Sequence, residues 1–372
     1  MISRLTILLV YLAVLSSCSK SVDEEGSGTS QSSSFKLLLT VPGAQKLYTV
    51  GDLAMVGDRS YIAAISDQAG ITSSPFLFQS NNEWRVYEQE NQRFVALTTH
   101  NGTLYGIMQY IQPYQSGQLT SYRFSYYLYK WANSSFENIA MYEYTDQNHV
   151  EKSPLQSLQF LKWQGVLKLV GKTSTGVALL WNLSNDKFLL EREIGDVGRS
   201  VHIIPDANGI CFTSYYQINQ TFDRFDYTQW HYYDGQTLEA GQVHKFQETL
   251  DGSFDNTYGN YFALQKTMYG FRKGEFRNID KDETIKKQPE KLTYQVASVR
   301  SANGKIYAIV GWGDGDCRKL AVFDGRNYKE YDFTLPANID PCSRLLDVEE
   351  LDGKMYLLLS TNRQLAIVYR TI

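Results

Sequence analysis

The sequence predicts an all-β chain folded as a single β-propeller, with seven four-stranded blades closed by an N-terminal strand. Three observations predict it. Short runs rich in Tyr, Val, Ile, Leu and Phe alternate with Gly, Asn and Asp, and helical periodicity is hard to find. One turn-and-strand pattern recurs along the chain. The last unit lacks a fourth strand, while a lone strand stands at the front.

The recurring pattern is Gly beside Asn, Asp or Gln, then an apolar, often Tyr-bearing strand. It appears at Gly57-Asp58, Asn101-Gly102, Gln164-Gly165, Asn208-Gly209, Gly259-Asn260, Asn303-Gly304 and Asp352-Gly353. Asn-Gly and Asp-Gly are strong hairpin signals because a type I′ turn needs positive φ at both central residues. The glycines recur roughly every 44 to 50 residues, with one gap near 63, which is the period of propeller blades. Between turns lies an aromatic strand, a polar turn and a second strand, as in Phe76-Leu77-Phe78 with Trp84-Arg85-Val86-Tyr87. Each unit thus supplies about four strands.

The ends predict closure. The last unit offers strands at 345–350, 355–360 and 365–371, and then the chain stops. Phe35-Lys36-Leu37-Leu38-Leu39-Thr40-Val41 has no partners of its own. Donated to the last unit, it removes two open sheet edges. In its aromatic packing the repeat is loosely similar to kelch propellers. Kelch Gly-Gly and WD signatures are absent, so that resemblance covers architecture only.

With strands named a to d outward from the axis, the b–c and d–a loops share one face. Long insertions are expected there at 109–123, 217–226 and 310–317, with a charged d–a connection at 281–291. Long loops on a rigid scaffold are where binding resides. They carry the candidate ligand-binding residues Tyr110, Tyr114, Tyr122, Phe222, Arg224, Trp312, Asp314 and Asp316. Flat aromatic area beside carboxylates and amides suits a carbohydrate or protein ligand. Cys317 and Cys342 project from this face between adjacent blades, and a disulfide there would contribute about 3 to 4 kcal/mol. Cys211, mid-strand among apolar neighbours, is expected to be buried and inert.

The start of the chain has its own logic. Arg4 gives a positive n-region, and Leu5 to Leu15 is an apolar run too short for a comfortable permanent span. Leu15-Ser16-Ser17-Cys18 resembles a bacterial lipobox. The resemblance implies cleavage of residues 1–17 and acylation of Cys18, which holds a protein on a membrane without a transmembrane helix. Ser19 resembles the outer-membrane sorting choice, and Asp23-Glu24-Glu25 resembles the surface-export tether of Bacteroidota lipoproteins. Residues 26–34, "GSGTSQSSS", read as flexible coil. The organisation expected is signal 1–17, acylated tether 18–34 and propeller 35–372.

Removing residues 1–17 takes only Arg4 from the charged set, leaving 35 basic against 40 acidic side chains. That balance argues against nucleic acid as a partner. Gly171-Lys172-Thr173 is not a phosphate loop, because Val166 stands where Gly is needed. The glycines of 311–316 lack dinucleotide spacing, and their two aspartates do not complete a Ca²⁺ ligand series. His100, His149, His202, His231 and His244 stand alone, without zinc spacing. No Gly-x-Ser-x-Gly elbow and no sialidase Asp-box occurs. No cofactor or metal is expected.

These readings favour a non-enzymatic surface lipoprotein whose loop face binds a glycan or an envelope protein. Two alternatives stay open: a glycan hydrolase or lyase with acids at the central channel, and a structural subunit of an envelope complex. An Asp/Glu cluster with Arg in the channel favours catalysis, an aromatic patch binding, and an apolar rim assembly.

Overall fold

The fold was analysed in a computed structural model. It describes residues 34–41, 48–57, 59–66, 76–80, 83–87, 92–116, 119–132, 135–143, 155–163, 165–206, 208–216, 227–245, 261–272, 275–287, 294–312, 317–340, 343–360 and 364–372.

Strand β1 (Lys36–Val41) comes first. Blade 1 is β2 (Tyr48–Val56), β3 (Arg59–Ser66), β4 (Phe76–Ser80) and β5 (Glu83–Tyr87). Blade 2 is β6 (Gln92–His100), β7 (Thr103–Ser116), β8 (Leu119–Ala132) and β9 (Ser135–Glu143). Blade 3 is β10 (Gln156–Trp163), β11 (Val166–Lys172), β12 (Val177–Asn182) and β13 (Leu189–Asp196). Blade 4 is β14 (Arg199–Pro205), β15 (Ile210–Tyr216), β16 (Tyr227–Tyr233) and β17 (Leu238–Ala240), with β18 (His244–Lys245) also on β16. Blade 5 is β19 (Tyr261–Leu264), β20 (Thr267–Arg272), β21 (Glu275–Asn278) and β22 (Glu283–Lys287). Blade 6 is β23 (Tyr294–Ala302), β24 (Lys305–Trp312), β25 (Cys317–Phe323) and β26 (Tyr328–Asp332). Blade 7 is β27 (Arg344–Leu351), β28 (Lys354–Ser360) and β29 (Leu365–Thr371), and β1 completes it as the outer strand. Lys36 lies opposite Tyr369 and Val41 opposite Leu365, antiparallel. The chain is an all-β propeller.

Turn chemistry sets the register. Asn101-Gly102, Asn303-Gly304 and Asp352-Gly353 have φ of 50° and 73°, 51° and 69°, and 51° and 71°, as a type I′ turn demands. Burial peaks at the second strands, is lower on the inner strands that border the cavity, and is least on the outer ones. Second strands such as β28 are buried almost throughout, and outer strands such as β22 and β13 are mostly exposed.

Apolar cores lie between blades rather than within one. Separate clusters join blades 7 and 1, 1 and 2, 2 and 3, 3 and 4, and 6 and 7. One larger cluster joins blades 4, 5 and 6 together. Blade 5 explains this difference. Its inner strand β19 is only four residues long, and β14 of blade 4 packs directly on β23 of blade 6. The inner strands that border the axis, β2, β6, β10, β14, β23 and β27, each carry a β-bulge, whereas β19 pairs with β20 without one. A bulge bends and twists a strand locally. Among the described residues there are seven sheets, and six of them send a strand to the axis. The expected seven blades therefore exceed by one the strands that line the channel.

Other expectations are corrected. Residues 109–123 are not a loop, because β7 and β8 run on as one long hairpin with Tyr114 opposite Ser121 and Pro113 opposite Tyr122. The alternation of Tyr with Gln and Ser sustains pairing where polar residues suggested a break. Residues 283–287 form the outer strand β22 rather than a d–a connection. Tyr261–Leu264 is the inner strand of its blade, not the second, and its turn is Gln265-Lys266 at φ 48° and 61°. Gly259 lies outside the described residues.

Candidate functional site

The six inner strands surround an axial cavity of 890 Å³, within the range of small-molecule pockets. Charged lining residues come from several blades: Asp52 on β2, Arg93 on β6, Lys162 on β10, Asp206 just after β14, Arg300 on β23, and Asp347 and Glu349 on β27. His202 on β14 also lines it and is buried.

Three of these charges hold adjacent blades together. Arg300 Nε donates to Leu346 O at 2.6 Å, across the blade 6–7 junction. Leu53 N donates to Asp347 Oδ2 at 2.7 Å, across the 7–1 junction. Leu97 N donates to Asp52 Oδ2 at 2.9 Å, across the 1–2 junction. Hydrogen bonds to charged groups contribute about 1.5–3 kcal/mol, and those to a neutral carboxyl about 0.5–1.5 kcal/mol. Two of the three latches flank blade 7, where β1 pairs with β29.

Burial shapes their titration. Desolvation raises Asp52 to about 6, against the backbone bond from Leu97 and the charge of Arg300. Desolvation, and then the neighbouring Asp52, pushes Asp347 well above the carboxylate range. Two carboxyls sharing one region resist double ionisation. Glu349 rises to about 7, mainly through burial, with Lys162 pulling the other way.

The remaining charges are held differently. Arg93 Nε donates to Gln109 Oε1 at 2.6 Å, and its guanidinium makes no ion pair with a carboxylate among the described residues. Lys162 is exposed on the cavity wall. These groups keep hydrogen-bonding capacity facing the cavity. Amide and hydroxyl groups of Gln156, Ser157 and Gln159 stand beside them. No group of three His, Cys, Asp or Glu among the described residues is placed to hold a metal ion.

Ser214 Oγ lies 2.9 Å from His231 Nδ1, a pairing that resembles a nucleophile and its base. Ser214 is wholly buried and also donates to Val197 O, so it serves packing in the blade.

Of the eight ligand-face residues expected from sequence, four fall on described strands. Tyr110 sits on β7 opposite Gln92, half-buried. Tyr114 and Tyr122 lie on the extended hairpin, and Trp312 ends β24 opposite Tyr294. Phe222, Arg224, Asp314 and Asp316 lie outside the described residues, as do Cys18 and Cys342. Cys317 begins β25 opposite Gly311, and the expected disulfide also falls outside what is described. Cys211 is buried and free, and desolvation pushes its thiol up to about 12. The channel charges are not among the residues that the sequence singles out. Their signal was a charged residue inside an apolar strand just before a turn, as in "GDLAM", "LLDVEEL" and "VRSA".

No protein-family model matches the chain, and no curated protein matches it. Solved structures do. The chain is similar to BBS1N, crystallised in complex with ARL6DN, at 10% identity and TM-score 0.48, over 90% of this chain and 96% of that one. It is similar to the β-propeller domain of the Trilobed protease from Pyrococcus furiosus at 12% identity and TM-score 0.46, over 87% and 93%. It is similar to BamB from Moraxella catarrhalis at 10% identity and TM-score 0.44, over 90% and 99%. These are likenesses of fold.

Proposed function

We propose that this chain is an outer-membrane lipoprotein facing the cell exterior, anchored through acylated Cys18. Its propeller binds a glycan without turning it over. In this reading seven blades form the ring, the fifth set back from the axis. The ligand enters the channel from the b–c/d–a face.

The observation that carries this reading is the 890 Å³ axial cavity lined by amides, hydroxyls and charges with bonding capacity to spare. A hydroxyl-rich ligand satisfies such a wall, whereas an apolar ligand strands it. A glycan array probed with the full chain in detergent tests it, beside a pull-down from envelope membranes. Binding to a defined glycan class supports the proposal. Specific capture of an envelope protein with an empty array overturns it in favour of a protein partner.

One observation favours a second reading. Asp52 and Glu349 both titrate near neutrality inside the cavity, as a general acid does. A hydrolase or lyase would then use Glu349, since Asp52 is engaged as a latch. Release of products from a polysaccharide, abolished in Glu349→Gln, establishes that reading and displaces the first.

A further inference from the structure

Arg93 sits at the end of a row of side chains crossing blade 2. Arg93 on β6 is opposite Gln109 on β7, and Gln109 is opposite Tyr126 on β8. Arg93 Nε donates to Gln109 Oε1 at 2.6 Å, and Gln109 Nε2 donates to Tyr126 Oη at 2.9 Å. Leu155 N, at the approach to blade 3, donates to the same Tyr126 oxygen at 2.5 Å. Gln109 is 1% exposed and Tyr126 0%. Two buried polar side chains therefore fix the orientation of one guanidinium. Burying polar groups is costly unless each is bonded, and this row bonds them by ending on Arg93.

The row grips Arg93 through Nε. Both Nη groups remain, and no described residue accepts from them. None of the four described acids of the channel pairs with it: Asp52 and Asp347 accept from the backbone of Leu97 and Leu53, Asp206 accepts from Asn208 N and Gly209 N, and Glu349 makes no ion pair with Arg93. Desolvation lowers the Arg93 pKa, and no carboxylate is among the groups that oppose this. A half-buried guanidinium whose two-donor fork meets no acceptor among the described residues, held rigid from behind, is built to receive a planar oxyanion. Gln156 and Ser157 border the cavity next to Leu155, and Ser157 is held at φ 51° on the β10 bulge. Lys162 and Arg300 stand near the far ends of their strands, close to the turns. One isolated fork suits a single-charged carboxylate. A phosphate dianion calls for a second cation close by.

We propose that Arg93 recognises a carboxylate, and that the ligand of the channel is an acidic oligosaccharide carrying a uronate group. The proposal rests on the glycan-binding reading above and names its ligand class. Arg93 touches the ligand, while Gln109 and Tyr126 act as positioning residues.

The test is isothermal titration of the full chain in detergent with four probes: a galacturonic acid oligomer, its methyl ester, a galactose oligomer and an oligo-glutamate peptide. The acid form binds, and the ester and the neutral oligomer bind about 10- to 100-fold more weakly. Arg93→Gln reduces acid binding to the ester level, and Arg93→Lys retains part of it with an unchanged melting temperature. Tyr126→Phe weakens acid binding and leaves ester binding unchanged, a selectivity that a merely structural role does not give. Equal affinity of Arg93→Gln and the parent for the acid oligomer overturns the assignment. Equal binding of the acid and neutral oligomers overturns the carboxylate and leaves the glycan reading standing. Binding of oligo-glutamate with no sugar bound overturns both.

Discussion

Substituting Phe35 with Ala probes the closure of the ring. Phe35 directly precedes β1, is 3% exposed, and packs edge-on to Phe333 with centroids 5.3 Å apart. The Arg370 guanidinium lies 5.5 Å from its ring. It belongs to the cluster that joins blades 6 and 7. Phe→Ala at a buried site costs about 3–5 kcal/mol, and the aromatic pair falls within that sum. With an unfolding entropy of about 2.1 cal/mol/K per residue, 4 kcal/mol lowers the melting temperature of a domain this size by about 6 °C. The control is Leu38→Ser on the same strand, 38% exposed, which costs about 0.5 kcal/mol. Thermal melting by circular dichroism reads both. A Phe35→Ala variant that melts within about 1 °C of Leu38→Ser refutes the claim that the leading strand locks the last blade.

Further tests follow from particular residues. Asp52 and Glu349 titrate higher in the fold than in the unfolded chain, at about 6 and about 7, so the fold binds more protons than the unfolded chain between their unfolded and folded values. The stability these two carboxyls contribute therefore falls as pH rises from about 5 to about 8, by an amount on the order of 1 to 3 kcal/mol, opposed by the lowered His100 and His231, and Glu349→Gln makes the measured dependence on pH less negative in urea titrations. Asp280 and Asp332, whose values are depressed, stay ionised across that window and add no slope there. A Cβ on Gly241 falls 1.9 Å from Trp230 Cε2, so Gly241→Ala destabilises by about 3 kcal/mol, whereas Gly57, with open space around it, costs about 1 kcal/mol as Ala through its φ of 60°. Urea midpoints distinguish the two. Under the anchoring proposal, Cys18→Ala abolishes palmitate labelling and moves the chain from the membrane to the soluble fraction.

Much of the fold was legible because turn chemistry is local. Asn-Gly and Asp-Gly announced three of the type I′ turns, and the missing strand of the last unit announced the pairing of β1 with β29. The turn of blade 5 was misplaced at Gly259-Asn260 because Gln265-Lys266 adopts the same left-handed pair without glycine. The amides of both residues bond the buried Cys211 sulfur of blade 4, so tertiary contact holds what local propensity opposes. The β7–β8 hairpin was hidden because Gln, Ser and Pro inside it imitate a loop. The site was illegible for a different reason. Asp52, Arg93, Lys162, Arg300 and Glu349 meet only because separate blades converge on one axis, and no sequence spacing records that convergence.

The channel edges of the inner strands carry amides that no ladder protects. Hydrogen exchange on the full chain, with and without its best-binding array glycan, therefore tests where the ligand sits. Occupation of the axis slows exchange at residues 92–98 and 156–162, and leaves the outer strands β13 and β22 unchanged. Protection confined to those outer strands, with 92–98 and 156–162 exchanging as before, contradicts an axial site.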